Sequence, residues 1–340
     1  MAVARIEERL DALYAIGGGP GANRIGGTEG EQRAHDLAAA WMEEAGLAVE
    51  VDGAGNLLGR TSKSAVLVGS HLDSVPQGGR FDGALGVVAA IEAVERVGRG
   101  AVVAFRSEET GCLGSTAFAA AGSLPSFFLE VHVEQGPVLE RLGAPLGLVT
   151  GVVGIVRGER AFEGAGGHAG TVPMAGRRDA LVAASEYVLR ARTAAAAIEG
   201  AVATIGRVEV EPGFGNVIPS RVRLSVDARA PDAERLDRLV AELELEPTFR
   251  LEPVEMAPEP REALRAALEK RSLPVVELAS GAGHDAAVLA AAGVPTGMLF
   301  VRSLNGGISH TPEEESSPED VALAVDVLSE ALERLASRAV

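Results

Sequence analysis

Ala65-Val66-Leu67-Val68-Gly69-Ser70-His71-Leu72-Asp73 is the stretch from which the fold can be read. Ala65–Gly69 carries no charge and reads as a strand buried on both faces, and the residues after it turn polar at once. An apolar run ending in a histidine and an aspartate is the pattern of an α/β sheet, in which functional groups sit beyond the carboxyl ends of the strands. Val102–Phe105 and Phe127–Val133 repeat the apolar run, with helical spacing over Gly86–Val97 and Ser115–Ala121 between them. A layered α/β domain is expected.

Upstream, Ile6, Leu10 and Leu13 recur at helical spacing. A second helix opens at Thr28 with Glu31 placed for a capping box, continues through Ala34, Leu37, Trp41 and Met42, and stops at Gly46. His35, on its polar side, reads as structural. Leu47, Val49 and Val51 alternate as in a half-buried strand, Gly53-Ala54-Gly55-Asn56 turns it, and Leu57–Thr61 returns as a hairpin partner.

Downstream, from about Val152 to about Val254, the order is strand (Ile155–Phe162), helix (Asp179–Ala196), two strands (Val202–Val210, Val222–Ala228), helix (Ala233–Leu243) and strand (Thr248–Leu251). That is a compact α+β unit inserted into the first domain. Alternation then resumes with helix Arg261–Arg271, strand Val275–Leu278, helix Asp285–Ala292 and strand Gly297–Val301. A closing helix begins at Ser317-Pro318-Glu319-Asp320, with a Ser cap, Pro in the first turn and acids at the positive dipole end. The expected fold is two-domain α/β. A mixed-sheet α/β/α domain is made of residues 1–151 and 257–340, and a smaller α+β domain of residues 152–256 is inserted in it.

Among 340 residues, 48 are acidic and 31 basic, a net charge of −17 with no basic stripe, which argues against nucleic acid because phosphate binding needs clustered Lys and Arg. Apolar runs such as Leu85–Ile91 fall well short of the ~20 residues of a membrane span, and Met1–Leu10 is too charged for a signal peptide. A cytoplasmic protein without membrane partners is expected. Cys112 is the only cysteine, so any metal must sit on nitrogen and oxygen ligands.

Those ligand types occur in the segments that punctuate the strands. His71 ends the first, with Asp73 able to orient its imidazole. Gly78-Gly79-Arg80-Phe81-Asp82-Gly83 holds Asp82 at the mouth of a helix, where a carboxylate could bridge two cations or simply cap the helix. Ser107-Glu108-Glu109 sets two acids side by side after a strand, a repulsion relieved by a cation or a shifted pKa unless the pair is merely solvated. Within Glu130-Val131-His132-Val133-Glu134-Gln135-Gly136-Pro137, alternation puts Glu130, His132 and Glu134 on one face of a buried strand. Gly306-Gly307-Ile308-Ser309-His310-Thr311-Pro312 presents His310 on a glycine loop. With Asp82 and Glu109, the histidines 71, 132 and 310 read as ligands of a two-metal site, and the reaction class that follows is metal-assisted hydrolysis.

Together these segments resemble the amidohydrolase branch of the co-catalytic zinc aminoacylase and carboxypeptidase clan: N-carbamoyl-L-amino-acid hydrolases, β-ureidopropionases and allantoate amidohydrolases. The most specific element is His132-Val133-Glu134-Gln135-Gly136-Pro137, since the peptidase relatives usually have an acid where this branch has histidine. The resemblance implies that His71, Asp82 and His132 bind one divalent metal and Asp82, Glu109 and His310 a second, with Glu108 as general base. It implies that the inserted domain serves as lid and dimerisation unit in a homodimer. There Gly166-Gly167-His168-Ala169-Gly170 would supply His168 to the tetrahedral oxyanion, and Asn216 and Arg229 would hold the substrate carboxylate. Asn216, in Gly215-Asn216-Val217-Ile218-Pro219, also reads as a turn residue. Gln135 belongs with the substrate-binding residues.

Gly281-Ala282-Gly283-His284-Asp285 superficially fits a dinucleotide fingerprint, but no acid ends a following strand at the right distance. Gly281, Ala282 and Gly283 read instead as an anion-receiving helix start facing the cleft, with His284 a weaker site candidate. Where the family has a Gly, Arg and Phe-containing stretch after the Glu pair, this chain has Thr110-Gly111-Cys112-Leu113 and reaches His132 quickly, so one pocket wall is expected to be shortened. Cys112 reads as packed rather than catalytic. The expected activity is release of ammonia and carbon dioxide from an N-carbamoyl-L-amino acid or a related ureido acid such as allantoate, a small-molecule substrate. The two metals would be zinc, or manganese, cobalt or nickel. The rival readings are a dipeptidase or N-acyl-amino-acid deacylase on the same metals, and a catalytically silent binding protein on the same fold.

Overall fold

Ile6, Leu10 and Leu13 lie buried along one face of α1 (Ala2–Tyr14), the first element of a computed structural model that describes residues 2–338. There follow α2 (Glu29–Glu44), the hairpin β1 (Ala48–Val51) and β2 (Leu57–Arg60), β3 (Val66–His71), α3 (Ala84–Val97) and β4 (Ala101–Phe105). Next come α4 (Leu113–Ala120), β5 (Phe127–Val133), α5 (Val138–Leu142) and β6 (Leu146–Val152). The inserted stretch holds β7 (Gly154–Glu163), β8 (Gly167–His168), α6 (Ala180–Ala196), β9 (Val202–Glu211), β10 (Val217–Ile218), β11 (Arg221–Ala230), α7 (Ala233–Glu242) and β12 (Glu246–Leu251). The chain returns through β13 (Val254–Glu255), α8 (Pro258–Lys270), β14 (Glu277–Ser280), α9 (Asp285–Ala291), β15 (Thr296–Val301) and α10 (Pro318–Ala336). Two compact units result: residues up to Gly151 together with those from Glu255 onward, and Val152–Val254.

The first unit is built on a nine-stranded mixed sheet in the order β1-β2-β4-β3-β5-β15-β6-β13, with β14 beside β6. β3 runs parallel to β4 and β5, and β15 parallel to β5, while β2 and β6 flank this group antiparallel. Every residue of β3, β4, β5 and β15 is buried, the mark of strands covered on both faces. The cover comes from α3, α8 and α10, whose Leu85, Val88, Ile91, Leu264, Leu328 and Leu332 share one core with Val68 and Val131. Each such side chain contributes roughly 1.5–3 kcal/mol by leaving water. Because α3 is enclosed all round, even its Glu92 is buried. It is paired with Arg5, Nε at 2.7 Å, and Arg9, Nη1 at 2.9 Å. Among the described residues no helix is long and apolar enough to cross a membrane.

The inserted unit is a four-stranded antiparallel sheet, β12-β7-β11-β9, with a separate two-stranded ladder of β8 and β10. Val222, Leu224, Val226 and Ala228 alternate on one face of β11 and pack with Tyr187 of α6 and Leu236 and Leu239 of α7. Asp179 and Asp232 cap α6 and α7 by accepting the N–H of Leu181 and of Arg235.

Two local expectations give way. No capping box forms at α2: the Thr28 hydroxyl donates to the Ile25 carbonyl at 2.6 Å, and Glu31 accepts the N–H of Gly27 and, from outside the helix, that of Ser107. His35 lies on the buried side of α2, 2% exposed, because that helix packs over the sheet. The short α5 and the two-residue strands β8, β10 and β13 have no counterpart in the periodicity of the sequence, being too short to show one, and in β6 Gly147, Thr150 and Gly151 interrupt the apolar run.

Candidate metal centre

The parallel strands β3, β4 and β5 end at one edge of the sheet, and their last residues and following loops carry the chemistry. His71 is the final residue of β3, Glu108 and Glu109 follow β4, His132 is the penultimate residue of β5, and the loop after β15 brings His310. Asp82 enters from the loop before α3. The helix is capped by Gly83 with no side-chain cap, so Asp82 is not an N-cap and its oxygens are left for the site. Gly83 has φ +63, and a Cβ there would stand 2.4 Å from the His71 ring, so only glycine allows this approach.

Asp82 is the hub. Its Oδ1 lies 3.1 Å from His132 Nε2 and 3.6 Å from His71 Nε2, and its Oδ2 lies 3.1 Å from His310 Nε2. Glu109 Oε2 is 3.6 Å from the same His310 nitrogen. Two three-donor groups able to hold a cation therefore share this carboxylate: His71, Asp82 and His132 on one oxygen, Asp82, Glu109 and His310 on the other. A third such group, Glu130, His132 and His284, reuses His132.

The hydrogen bonding fits metal ions. His132 Nδ1 lies 3.0 Å from the Val133 carbonyl and His71 Nδ1 3.2 Å from the Asp73 carbonyl. A carbonyl only accepts, so both protons sit on Nδ1 and both Nε2 lone pairs face Asp82, itself an acceptor. Lone pairs aimed at a carboxylate need either extra protons or a shared cation. Glu109 Oε1, buried without a partner, is a further unused donor. With no cation, burial alone would raise the Asp82 carboxyl, but His132, His310 and His71 hold it well below the carboxylate range. The His310 imidazole is in turn pushed up to about 9, chiefly by Asp82.

Glu108 lies 3.8 Å from His71 Nε2 and is turned toward the site by Ser107 in the left-handed region, φ +54. Burial pushes its carboxyl up to about 7 against the pull of His71, with Glu109 and Asp82 pushing the same way as burial. A carboxyl poised there can take and return a proton near neutral pH. Gln135, also left-handed at φ +56, donates its amide to Asp82 Oδ2 at 3.0 Å and to Ser309 at 3.3 Å. Only His132 of the Glu130, His132 and Glu134 face reaches the centre. Glu130 accepts from the Ser70 hydroxyl and the Ala286 N–H, and Glu134 caps α5 through the N–H groups of Val138 and Leu139. The first turn of α9, expected to receive an anion, has thus already been given one by the chain itself. Gly281, Ala282 and Gly283 form the loop before it, where Ser280 accepts the Ala282 N–H and lies 2.7 Å from His284 Nε2. His284 is buried with its ring 4.5 Å from that of His132. Cys112 packs with its thiol 3.6 Å from Glu108, and burial pushes that thiol far up, away from reactivity.

In the inserted unit the β8–β10 ladder pairs His168 with Val217, and the Ala169 N–H bonds to the Asn216 carbonyl. The Gly170 N–H donates to His168 Nδ1 at 3.1 Å, so a neutral His168 carries its proton on Nε2 and points a donor outward. Arg229, on β11, forks onto Asp227 of the same strand, at 2.7 Å through Nε.

Two residues at the centre escaped the sequence reading. Glu314, 3% exposed, accepts the N–H of Phe81 and Asp82 and the Ser309 hydroxyl. Arg24, fully buried, donates to the carbonyls of Leu72 and Leu13, and burial lowers it to about 10 while Asp82, Asp73, Glu314 and Glu109 pull it up. It supplies positive charge beside an acidic site.

A mixed-sheet α/β unit with a carboxylate shared between two histidine- and carboxylate-bearing donor groups defines a class, and the comparison with known sequences agrees. Residues 67–334 match the peptidase family M20/M25/M40, and the chain belongs to that family. It is 35% identical to an N-carbamoyl-L-amino acid amidohydrolase of Geobacillus stearothermophilus over 98% of each chain. It is 32% identical to a probable allantoate deiminase of Oryza sativa subsp. japonica, over 85% of this chain and 79% of that one. A crystal structure of an amidase of the hydantoinase/carbamoylase family from Burkholderia multivorans superposes with a TM-score of 0.92 at 32% identity, covering 98% of both chains.

Proposed function

We propose that the protein is a metal-dependent amidohydrolase that cleaves the carbamoyl C–N bond of an N-carbamoyl-L-amino acid or an allantoate-type ureido acid, releasing ammonia and carbon dioxide. The observation that carries this is Asp82, whose two carboxylate oxygens serve two three-donor groups, with the Glu108 carboxylate 3.8 Å from His71 Nε2 beside them. The relatives, which carry carbamoylase and allantoate deiminase names, support the substrate class.

His71, Asp82 and His132 would hold one divalent ion and Asp82, Glu109 and His310 the other, zinc or else manganese, cobalt or nickel. Bound there, the ions supply Lewis acidity to a water and to the ureido carbonyl. Glu108 takes the proton of the attacking water and returns it to the leaving nitrogen. The carbonyl carbon gains an oxygen and loses one nitrogen, which departs protonated as ammonia, and the remaining carbamate falls apart to amine and carbon dioxide. His168 Nε2–H is the donor for the oxyanion. Asn216 and Arg229 hold the substrate carboxylate, Arg229 by exchanging Asp227 for it, and Gln135 with Gly281, Ala282 and Gly283 lines the rest of the pocket. We place the protein in the cytoplasm as a homodimer, with the inserted unit as lid and dimerisation surface. A panel of N-carbamoyl amino acids, allantoate, N-acyl amino acids and dipeptides, assayed with each metal, tests the assignment. Ammonia from ureido substrates is expected, and amino acid released only from acyl or peptide substrates would replace it with a deacylase or dipeptidase.

A further inference from the structure

Glu314 touches both segments that carry the second donor group. Its Oε1 accepts the N–H of Phe81 at 2.7 Å and of Asp82 at 3.0 Å, and its Oε2 accepts the Ser309 hydroxyl at 2.7 Å, one residue before His310. Space has been cleared for it: a Cβ on Gly79 would lie 2.2 Å from its carboxyl carbon. Gln135 also bridges the two segments, its amide donating to Asp82 Oδ2 at 3.0 Å and to Ser309 at 3.3 Å, but it meets the Asp82 side chain, whereas Glu314 holds the backbone of Phe81 and Asp82. His310 is in the left-handed region at φ +59 and 49% exposed at its side chain, and the loop before Asp82 is glycine-dense.

We infer that Glu314 is a positioning residue for the second metal, a clasp that fixes the distance between Asp82 and His310 while contacting neither ion nor substrate. This rests on the two-metal reading above. An exposed imidazole on a loop binds weakly unless the loop is held, and losing an outer partner of a metal ligand typically costs about 10–100-fold in metal affinity. The clasp works through hydrogen bonds and not through charge. A glutamine, with an oxygen for the two N–H groups and an amide that the Ser309 oxygen can accept, should therefore replace it, whereas a shorter carboxylate should not.

The test is zinc affinity by competition with a chromophoric chelator, together with zinc content after dialysis, for the full-length wild type, E314A, E314D and E314Q. Leu328→Ala, in the core of α10, serves as a variant that loses stability away from the site. We expect E314A and E314D to bind the weaker zinc about 10–100-fold less tightly and E314Q to stay within about threefold of wild type. If E314A does not fold, E314D against E314Q still decides. Wild-type affinity in E314A or E314D, equal weakening in E314Q and E314D, or equal weakening in Leu328→Ala would each overturn the clasp. A wild-type chain that takes up no zinc would overturn the two-metal reading itself, and the clasp with it.

Discussion

Asp73 accepts the backbone N–H of Glu108 at 3.0 Å on Oδ1, the oxygen that also lies 3.3 Å from His71 Nδ1. Its Oδ2 takes the N–H of Glu109 at 3.1 Å. One buried carboxylate, two residues beyond the end of β3, thus orients the imidazole of His71 and holds the paired acids after β4, which ties the position of Glu108 to that of His71.

Because Glu108 is held in place by its backbone, Glu108→Gln should leave the donor groups intact and remove only the proton carrier. We expect kcat on the best ureido substrate to fall by at least about 10²–10⁴-fold, with metal content unchanged. Retained turnover in a variant of proven purity would rule out the role.

Asp82 serves both donor groups, so Asp82→Asn should abolish binding of both metals, whereas His310→Ala should abolish one. Ligands that bind only the folded state raise its stability, by about 4 kcal/mol at a thousand times Kd. Chelation should therefore lower the melting temperature of the metal-loaded wild type and leave that of Asp82→Asn where it was. Equal shifts in the two proteins would contradict the shared-carboxylate arrangement.

Gly83→Ala would place a methyl group in the His71 ring at a left-handed backbone position. The expected loss is about 1–3 kcal/mol, with weaker binding of the metal that His71 serves. Urea denaturation of the apoprotein separates the first effect from the second, and an unchanged midpoint would show that the ring moves aside freely.

His35 predicts the acid sensitivity of the fold. Burial lowers it to about 3, against about 6.5 in the unfolded chain. Between those values the unfolded state binds the additional proton, so stability present above pH 6.5 is lost as the pH falls. From pH 7 to pH 5 this amounts to about 2 kcal/mol. His35→Leu should lose that much less over the same interval in urea titrations. Parallel losses in the two proteins would refute it.

The strands that carry the centre were legible because apolar runs that stop abruptly at His71, at Ser107-Glu108-Glu109 and after His132 have few other meanings. Asp82 was open to two readings, and the cap at Gly83 removes one of them, the helix N-cap. Glu314 and Arg24 were not legible: a buried polar residue in a loop has no periodicity, and Glu314 stands in a run of three glutamates that looks like solvated surface. The Thr28–Glu31 capping box failed for a related reason. A local signal was overridden when Glu31 was taken by the Ser107 N–H, a partner distant in sequence. His35 was placed on the polar side because its neighbours in α2 are charged, and the sheet beneath claimed it.

β15 pairs with β5 in parallel register, Val301 beside Val133, yet enters the chain only after the whole inserted unit. On the ribosome, His71, Asp82 and His132 therefore emerge long before the strand that must lie against β5, and for that interval the nascent sheet has an open edge. The first donor group can assemble early and the second cannot, because His310 follows β15. The order of synthesis thus completes the first group of donors before the second, whose His310 arrives only with the segment after the last strand.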